Sequence, residues 1–228
     1  DGAYALSSVP FGSYIVRARA AGYATLSSSV TVDGAETVNF GPAAVADYTV
    51  AGADNSCAAP YAWIDATDGT LHALTDDEYT SVALPWAFPF YGVNQTTLYI
   101  SSNGFVSFGS GYSKWHGIVP FEGAPNNQII ALGEDLNPAL GTQGKIYTKN
   151  LGDGRFVVQY DAVEHWASGN PETFEIVLNN NDDTILVQYK TVSWADYANA
   201  GIENADGSRG ILYSYANDRP LCTGLAVK

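Results

Sequence analysis

Methionine is absent from the 228 residues and the chain opens on Asp1, so the expectation is a segment whose signal or upstream domains have been removed. Basic residues are scarce. Ten Lys and Arg stand against twenty-four Asp and Glu, a formal net charge of −14. A surface of that sign repels phosphate backbones and anionic headgroups, so neither nucleic acid nor membrane is an expected partner. No apolar run approaches the ~18 residues that a spanning helix requires, and no membrane insertion is expected. Histidine is limited to His72, His116 and His165, each alone in sequence and without metal-ligand spacing. The Gly-x-Ser-x-Gly elbow, the His-Glu-x-x-His helix and the phosphate-binding glycine loop are all missing. An enzyme is therefore not expected. The paired acids Asp76-Asp77-Glu78, Glu134-Asp135 and Asp182-Asp183 could serve a glycosidase only at a carboxyl separation of ~5–10 Å. In so acidic a chain such pairs arise by chance, and solvated loops are their ordinary home.

Cysteine occurs only at Cys57 and Cys222, near the two ends of the larger part of the chain, and no Cys-x-x-Cys motif is present. Secreted sandwiches often staple a first strand to a last one, a link that stabilises by ~2–5 kcal/mol. A Cys57–Cys222 disulfide is the expectation, and two buried free thiols are the alternative.

What is abundant favours strands and turns: fifteen Tyr, nine Phe and five Trp, with twenty-three Gly and ten Pro. The expected fold class is all-β, a tandem of β-sandwiches in which the first is incomplete and the second is larger and antiparallel. Residues 1–44 read as four short strands. Tyr14, Val16, Ala18 and Ala20 alternate with Ile15, Arg17 and Arg19, and similar alternation runs through Val30-Thr31-Val32 and Val38-Asn39-Phe40. Turns are expected at Val9-Pro10-Phe11-Gly12, Ala21-Gly22-Tyr23 and Asp33-Gly34.

Asp1-Gly2-Ala3-Tyr4-Ala5-Leu6, then Val9-Pro10-Phe11-Gly12-Ser13-Tyr14 and Ala20-Ala21-Gly22-Tyr23, resemble the carboxypeptidase-regulatory-like module, a small transthyretin-like β-sandwich of secreted and surface proteins. The resemblance covers roughly the C-terminal half of that module. Its opening strands have no counterpart, which implies unpaired edges and an open core.

Residues 45–56 read as a polar connector, with one strand at Tyr48-Thr49-Val50, so the second domain is placed at 45–228. Charge divides unevenly: Asp1, Asp33 and Glu36 against Arg17 and Arg19 leave residues 1–44 at −1, and the acidity belongs to the second domain. Strands are predicted there at Ser81-Leu84, Thr97-Ser101, Phe105-Phe108, Gln128-Ala131, Lys145-Thr148, Arg155-Tyr160, Thr173-Leu178, Thr184-Lys190, Ala200-Glu203 and Gly210-Tyr215. Asn150-Leu151-Gly152-Asp153-Gly154 and Asn179-Asn180-Asn181-Asp182-Asp183 fit hairpin loops, because Gly, Asn and Asp tolerate positive φ.

The run Leu84-Pro85-Trp86-Ala87-Phe88-Pro89-Phe90-Tyr91-Gly92, followed by Leu98-Tyr99-Ile100-Ser101-Ser102-Asn103-Gly104-Phe105-Val106-Ser107-Phe108-Gly109, is similar to the opening of nidogen-like extracellular modules. Ile129-Ile130-Ala131-Leu132-Gly133-Glu134-Asp135-Leu136 stands where such modules carry an Ala-Phe-Trp-Ala-Asp-type segment, but lacks the Phe-Trp pair. The resemblance implies a secreted, cell-surface protein that works in adhesion or matrix assembly, usually without catalysis. Expected partners are further copies of the chain or other surface proteins.

Candidate binding residues follow from side-chain type. Asp65, Asp68, Asp135 and Asp206 offer hard oxygens in loops, the ligand type calcium prefers; no other cofactor is expected, and Asp-capped turns are the plainer explanation for each loop. Trp115, Trp166, Trp194 and Tyr197 lie in apparent loops or strand ends, where rings can stack on glycans or a protein partner, or simply cover the end of a sandwich. Asn94-Gln95-Thr96 is an N-glycosylation acceptor pattern just before a predicted strand. Two functions are thus expected: a non-enzymatic structural or adhesive module, self-assembling through a strand supplied by a neighbour, or a carbohydrate-binding or substrate-targeting accessory module of a secreted hydrolase.

Overall fold

The computed structural model describes residues 4–18, 26–40, 48–50, 61–114, 118–141, 144–166, 169–216 and 218–228. Fifteen strands and no helix occur among them, and no described helix is long and apolar enough to cross a membrane. The first two strands, β1 (Gly12–Ala18) and β2 (Leu26–Val32), form an antiparallel hairpin of their own. The predicted strand at Val38 to Phe40 is not formed. That stretch is irregular, with the Tyr4 hydroxyl donating to Val38 O at 2.8 Å and the Tyr4 and Phe40 rings 6.4 Å apart. The turn expected at Ala21-Gly22-Tyr23 lies outside the described residues.

The remaining strands make two antiparallel sheets face to face, a β-sandwich. One sheet contains β4 (Tyr79–Phe90), β5 (Val93–Ser101), β6 (Phe105–Phe108), β7 (Gln128–Gly133), β13 (Asn199–Glu203) and β14 (Gly210–Tyr215), in the order β14-β13-β7-β6-β5-β4. The other contains β3 (Thr70–His72), β8 (Leu136–Asn137), β9 (Lys145–Asn150), β10 (Arg155–His165), β11 (Gly169–Asn179), β12 (Thr184–Thr191) and β15 (Ala226–Val227). Its order is β15-β12-β11-β10-β9-β3, with β8 paired to β10. All ten strands predicted for this region are present, several of them longer than expected. β4 runs through Pro85 and Pro89, which an edge strand tolerates because its outer N–H groups need no partner.

Alternation explains the core. Along β4, Leu84, Phe88 and Phe90 turn inward, and along β5 Leu98 and Ile100 do the same. They meet Val158 and Tyr160 of β10, Phe174, Ile176 and Leu178 of β11, and Tyr189 of β12. Tyr160 and Phe174 stack at 4.5 Å, and the Tyr160 hydroxyl crosses between the sheets to donate to Ser101 O at 2.7 Å and Phe105 O at 3.1 Å. This satisfies a fully buried hydroxyl.

β10 and β11 are buried on both faces, a departure from the one-sided pattern of an antiparallel sheet. Their outer face is crossed by residues 61–66, an extended strap without ladder pairing of its own. Three cross-strand neighbours, Gln159, Glu175 and Gln188, stand in register on β10, β11 and β12 and supply the strap's hydrogen bonds. Ala62 N donates to Gln188 Oε1 at 2.7 Å, Ile64 N to Glu175 Oε1 at 3.2 Å, and Ala66 N to Gln159 Oε1 at 2.7 Å. Ala66 then seals Val157 and Val177 beneath it.

Tyr48-Thr49-Val50 is not a strand. Tyr48 instead packs its ring 5.7 Å from Phe90 and 5.0 Å from Tyr91, with its hydroxyl donating to Pro89 O at 3.3 Å.

Candidate functional site

Chemistry-bearing side chains gather at one end of the sandwich, where the turns before β4, between β5 and β6, after β7 and after β10 meet residues 193–197. Asn103 organises this end. Fully buried, it donates from Nδ2 to Asp77 Oδ1 at 2.9 Å and to Ser113 O at 2.6 Å, and its Oδ1 accepts Leu136 N at 2.7 Å. The next residue must be glycine. Gly104 has φ +78° and a Cβ there would lie 1.8 Å from Leu132 O.

Asp76, Asp77 and Asp135 come together here, with one carboxylate oxygen from each within 4.8 Å of the others. Burial pushes the Asp135 carboxyl above the ordinary range, the negative charges of Asp76 and Asp77 push it further, and His165 opposes them. Hard oxygens at such spacing suit a divalent cation chemically. Beside them, Glu134 is buried with Oε1 lacking a hydrogen-bond partner. Its carboxyl is raised chiefly by burial, against the pull of His165.

Glu172 is the anchor of the neighbouring loop. Fully buried, it accepts His165 Nε2 at 3.1 Å, Ser193 N at 2.9 Å and Trp194 N at 2.8 Å. The His165 ring packs against Trp194 at 5.1 Å, and Trp194 meets Tyr197 edge-on at 5.9 Å. Tyr197 is 70% exposed and Trp166 57%, so each offers a ring face to solvent. Trp194 is half-buried and donates from Nε1 to Asp196 Oδ2 at 3.1 Å. Trp115 lies outside the described residues.

The other candidates from the sequence stand elsewhere. Asp65 accepts Thr67 N and Oγ1, hydrogen bonds that hold its carboxyl below the usual range, and Asp68 pairs with Lys149 at 2.6 Å. Asp206 accepts Ser208 Oγ and N, which lower its carboxyl likewise. Asn94 is exposed but lies within β5, opposite Pro89, rather than before the strand. His72 contacts Thr148 Oγ1 at 2.8 Å, and burial lowers its imidazole. His116 and Cys57 lie outside the described residues; Cys222 is half-buried against the core and is not a free thiol.

Sequence reasoning missed Glu172, Glu134 as a buried group, and the Gln159, Glu175 and Gln188 ladder. The ladder had a signal: Val158-Gln159-Tyr160, Phe174-Glu175-Ile176 and Val187-Gln188-Tyr189 each place one long polar residue between two core residues on successive strands.

A family model described as NIDO-related (nidogen-related) matches residues 52–224, well over half of the chain; it does not extend over the N-terminal hairpin. No curated protein and no solved structure gives a significant match.

Proposed function

The chain belongs to the NIDO-related family, and from that premise we propose that it is a non-enzymatic extracellular module, structural or adhesive, that self-associates through its N-terminal hairpin. The observation that carries this reading is burial. None of the residues 4–40 whose burial is described is buried, whereas the sandwich has a continuous core. Tyr14, Val16 and Ala18 of β1 share a face with Val30 and Val32 of β2; Tyr14 is exposed and the other four are only half-buried. Phe11 is 80% exposed, Leu6 68% and Tyr4 53%. A lone two-stranded hairpin is marginal in water, and its free edges are templates for another strand. Strand addition from a second copy supplies the missing ladder, and a contact of that kind between unlike surfaces propagates into filaments. A Cys57–Cys222 disulfide closing the larger domain belongs to the same proposal.

Light scattering and electron microscopy of the full chain, with mass spectrometry of the native N-terminus, test it. Concentration-dependent filaments that disappear in Phe11→Asp and Tyr14→Asp are expected. A monodisperse protein at high micromolar concentration, or a longer native chain whose own strands cover the hairpin, would overturn it.

A second reading, a glycan-binding accessory module, rests on Trp194 and Tyr197 held on a loop pinned by Glu172. Quenching of tryptophan fluorescence by a polysaccharide, lost in Tyr197→Ala, would favour it. Indifference to a broad glycan panel would remove it.

A further inference from the structure

On the side where β13 and β14 face β12 and β15, the two sheets do not fill the space between them. A cavity of about 570 Å³ opens there, inside the ~300–1,000 Å³ range of small-molecule sites. It is a cleft open to solvent, whose walls are mainly apolar. Its lining includes the fully buried Ile129 and the buried Tyr189, together with Ile185, Ile202 and Ile211, which are half-exposed.

The backbone holds the space open. β13 carries a bulge between Ala200 and Gly201 in its register with β14, and its pairing with β7 slips at the same place. Bulges re-aim side chains and are common beside binding sites. Here they place the two smallest side chains of β13 in the lining. Position 201 cannot be enlarged without moving the backbone, because a Cβ there would lie 2.3 Å from Ile211 O.

The charged residues of the described lining are Asp182, Asp183 and Lys228, while Tyr48, Thr49, Tyr91, Thr184 and Tyr213 add hydroxyls elsewhere. Asp182 and Asp183 come from the β11–β12 turn and Lys228 approaches Asp182 at 3.0 Å. Two carboxylates against one ammonium leave that part of the lining negative, on a chain whose formal charge is −14. A carboxylate or sulfate head is repelled there, and a basic head is attracted.

We propose that this inter-sheet cavity is a binding site for a small amphipathic molecule with an apolar body and a basic head, the class of a medium-chain or aromatic amine. The ligand body covers the exposed parts of Ile185, Ile202 and Ile211, and its ammonium lies toward Asp182 and Asp183. This site is independent of the hairpin and does not rest on the self-association reading.

Titration of the full chain with the neutral fluorophore N-phenyl-1-naphthylamine tests the cavity, and displacement by decylamine against decanoate tests the head. Saturable one-to-one binding is expected, weakened at least tenfold by Ile202→Trp and unchanged by Phe11→Asp, which alters only the exposed hairpin. Decylamine should displace the probe at several-fold lower concentration than decanoate. Ala200→Leu is the second filling variant and decides the matter if Ile202→Trp does not fold by circular dichroism. Absence of saturable binding, full binding in a folded filled variant, or loss of binding in Phe11→Asp would overturn the site. Equal or better displacement by decanoate would overturn the basic head.

Discussion

Glu175 is the weak rung of the ladder beneath the strap. Its Oε1 accepts both Ile64 N at 3.2 Å and Gln188 Nε2 at 2.6 Å, while Oε2 is buried without a hydrogen-bond partner. Burial pushes its carboxyl up to about 7, partly opposed by these hydrogen bonds and by the charge of Arg155, and reinforced by Asp65. A folded-state value raised above the ordinary 4.5 means that the folded protein holds the proton more tightly than the unfolded chain. The stability carried by that proton is fully present below pH ~4.5 and is lost as the pH rises through about 7. At ~1.4 kcal/mol per unit, ionisation costs about 3 kcal/mol by pH 8, and about 2–3 kcal/mol of that appears between pH 5 and pH 8. Glu175→Gln keeps the accepting Oε1, imitates the neutral acid in shape, and cannot ionise. Urea unfolding followed by tryptophan fluorescence should therefore show the variant gaining about 2–3 kcal/mol on wild type as the pH is raised from 5 to 8. Hydrogen exchange at Ala62, Ile64 and Ala66 should accelerate above pH 7 in wild type beyond the intrinsic rise and remain flat, after the same correction, in the variant. Parallel stability profiles for the two proteins would refute the reasoning, since the buried carboxyl would then not be titrating in that window.

Three further outcomes are expected. Gly104→Ala forces a Cβ 1.8 Å from Leu132 O at a φ of +78°, so it should lower stability by at least ~1–3 kcal/mol and release Asn103, read by thermal unfolding. Tyr160→Phe removes the hydroxyl that donates to Ser101 O and Phe105 O; a loss of ~1–3 kcal/mol in urea unfolding is expected, and a change below about 0.5 kcal/mol would mean that the two carbonyls find other partners. Reduction under native conditions should lower the unfolding midpoint by the equivalent of ~2–5 kcal/mol, and thiol titration of the denatured, unreduced chain should find no free thiol.

Strand positions in the sandwich were legible because short runs rich in β-branched and aromatic residues are separated there by Gly, Asn, Asp and Pro. Phe105 to Phe108 and Gly210 to Tyr215 fall where the pattern puts them. The three strands not foreseen, β3, β8 and β15, have three, two and two residues, too short for any periodicity to show. The opposite error arose in residues 37–40, where Val38 and Phe40 alternate as a strand would. Alternation gives the face a side chain would take, and a strand still needs a neighbour to complete its ladder.

The functional end was harder to read for a physical reason. Asp135 could be singled out by side-chain type, but its neighbours Asp76 and Asp77 arrive from a turn nearly sixty residues earlier, brought there by Asn103 and Gly104. Glu172 illustrates the same limit. In sequence it is one acid among twenty-four, next to Pro171. In the fold it is fully buried and accepts three charge-assisted hydrogen bonds, two from backbone N–H groups and one from an imidazole. Ser193 and Trp194 supply two of those donors and the imidazole the third, so the loop bearing Trp194 and Tyr197 is fixed by a carboxylate that belongs to β11 rather than by its own residues. A loop held from below by such bonds would present its aromatic rings at low entropic cost, which is the physical basis for testing Tyr197 in the proposed glycan-binding reading.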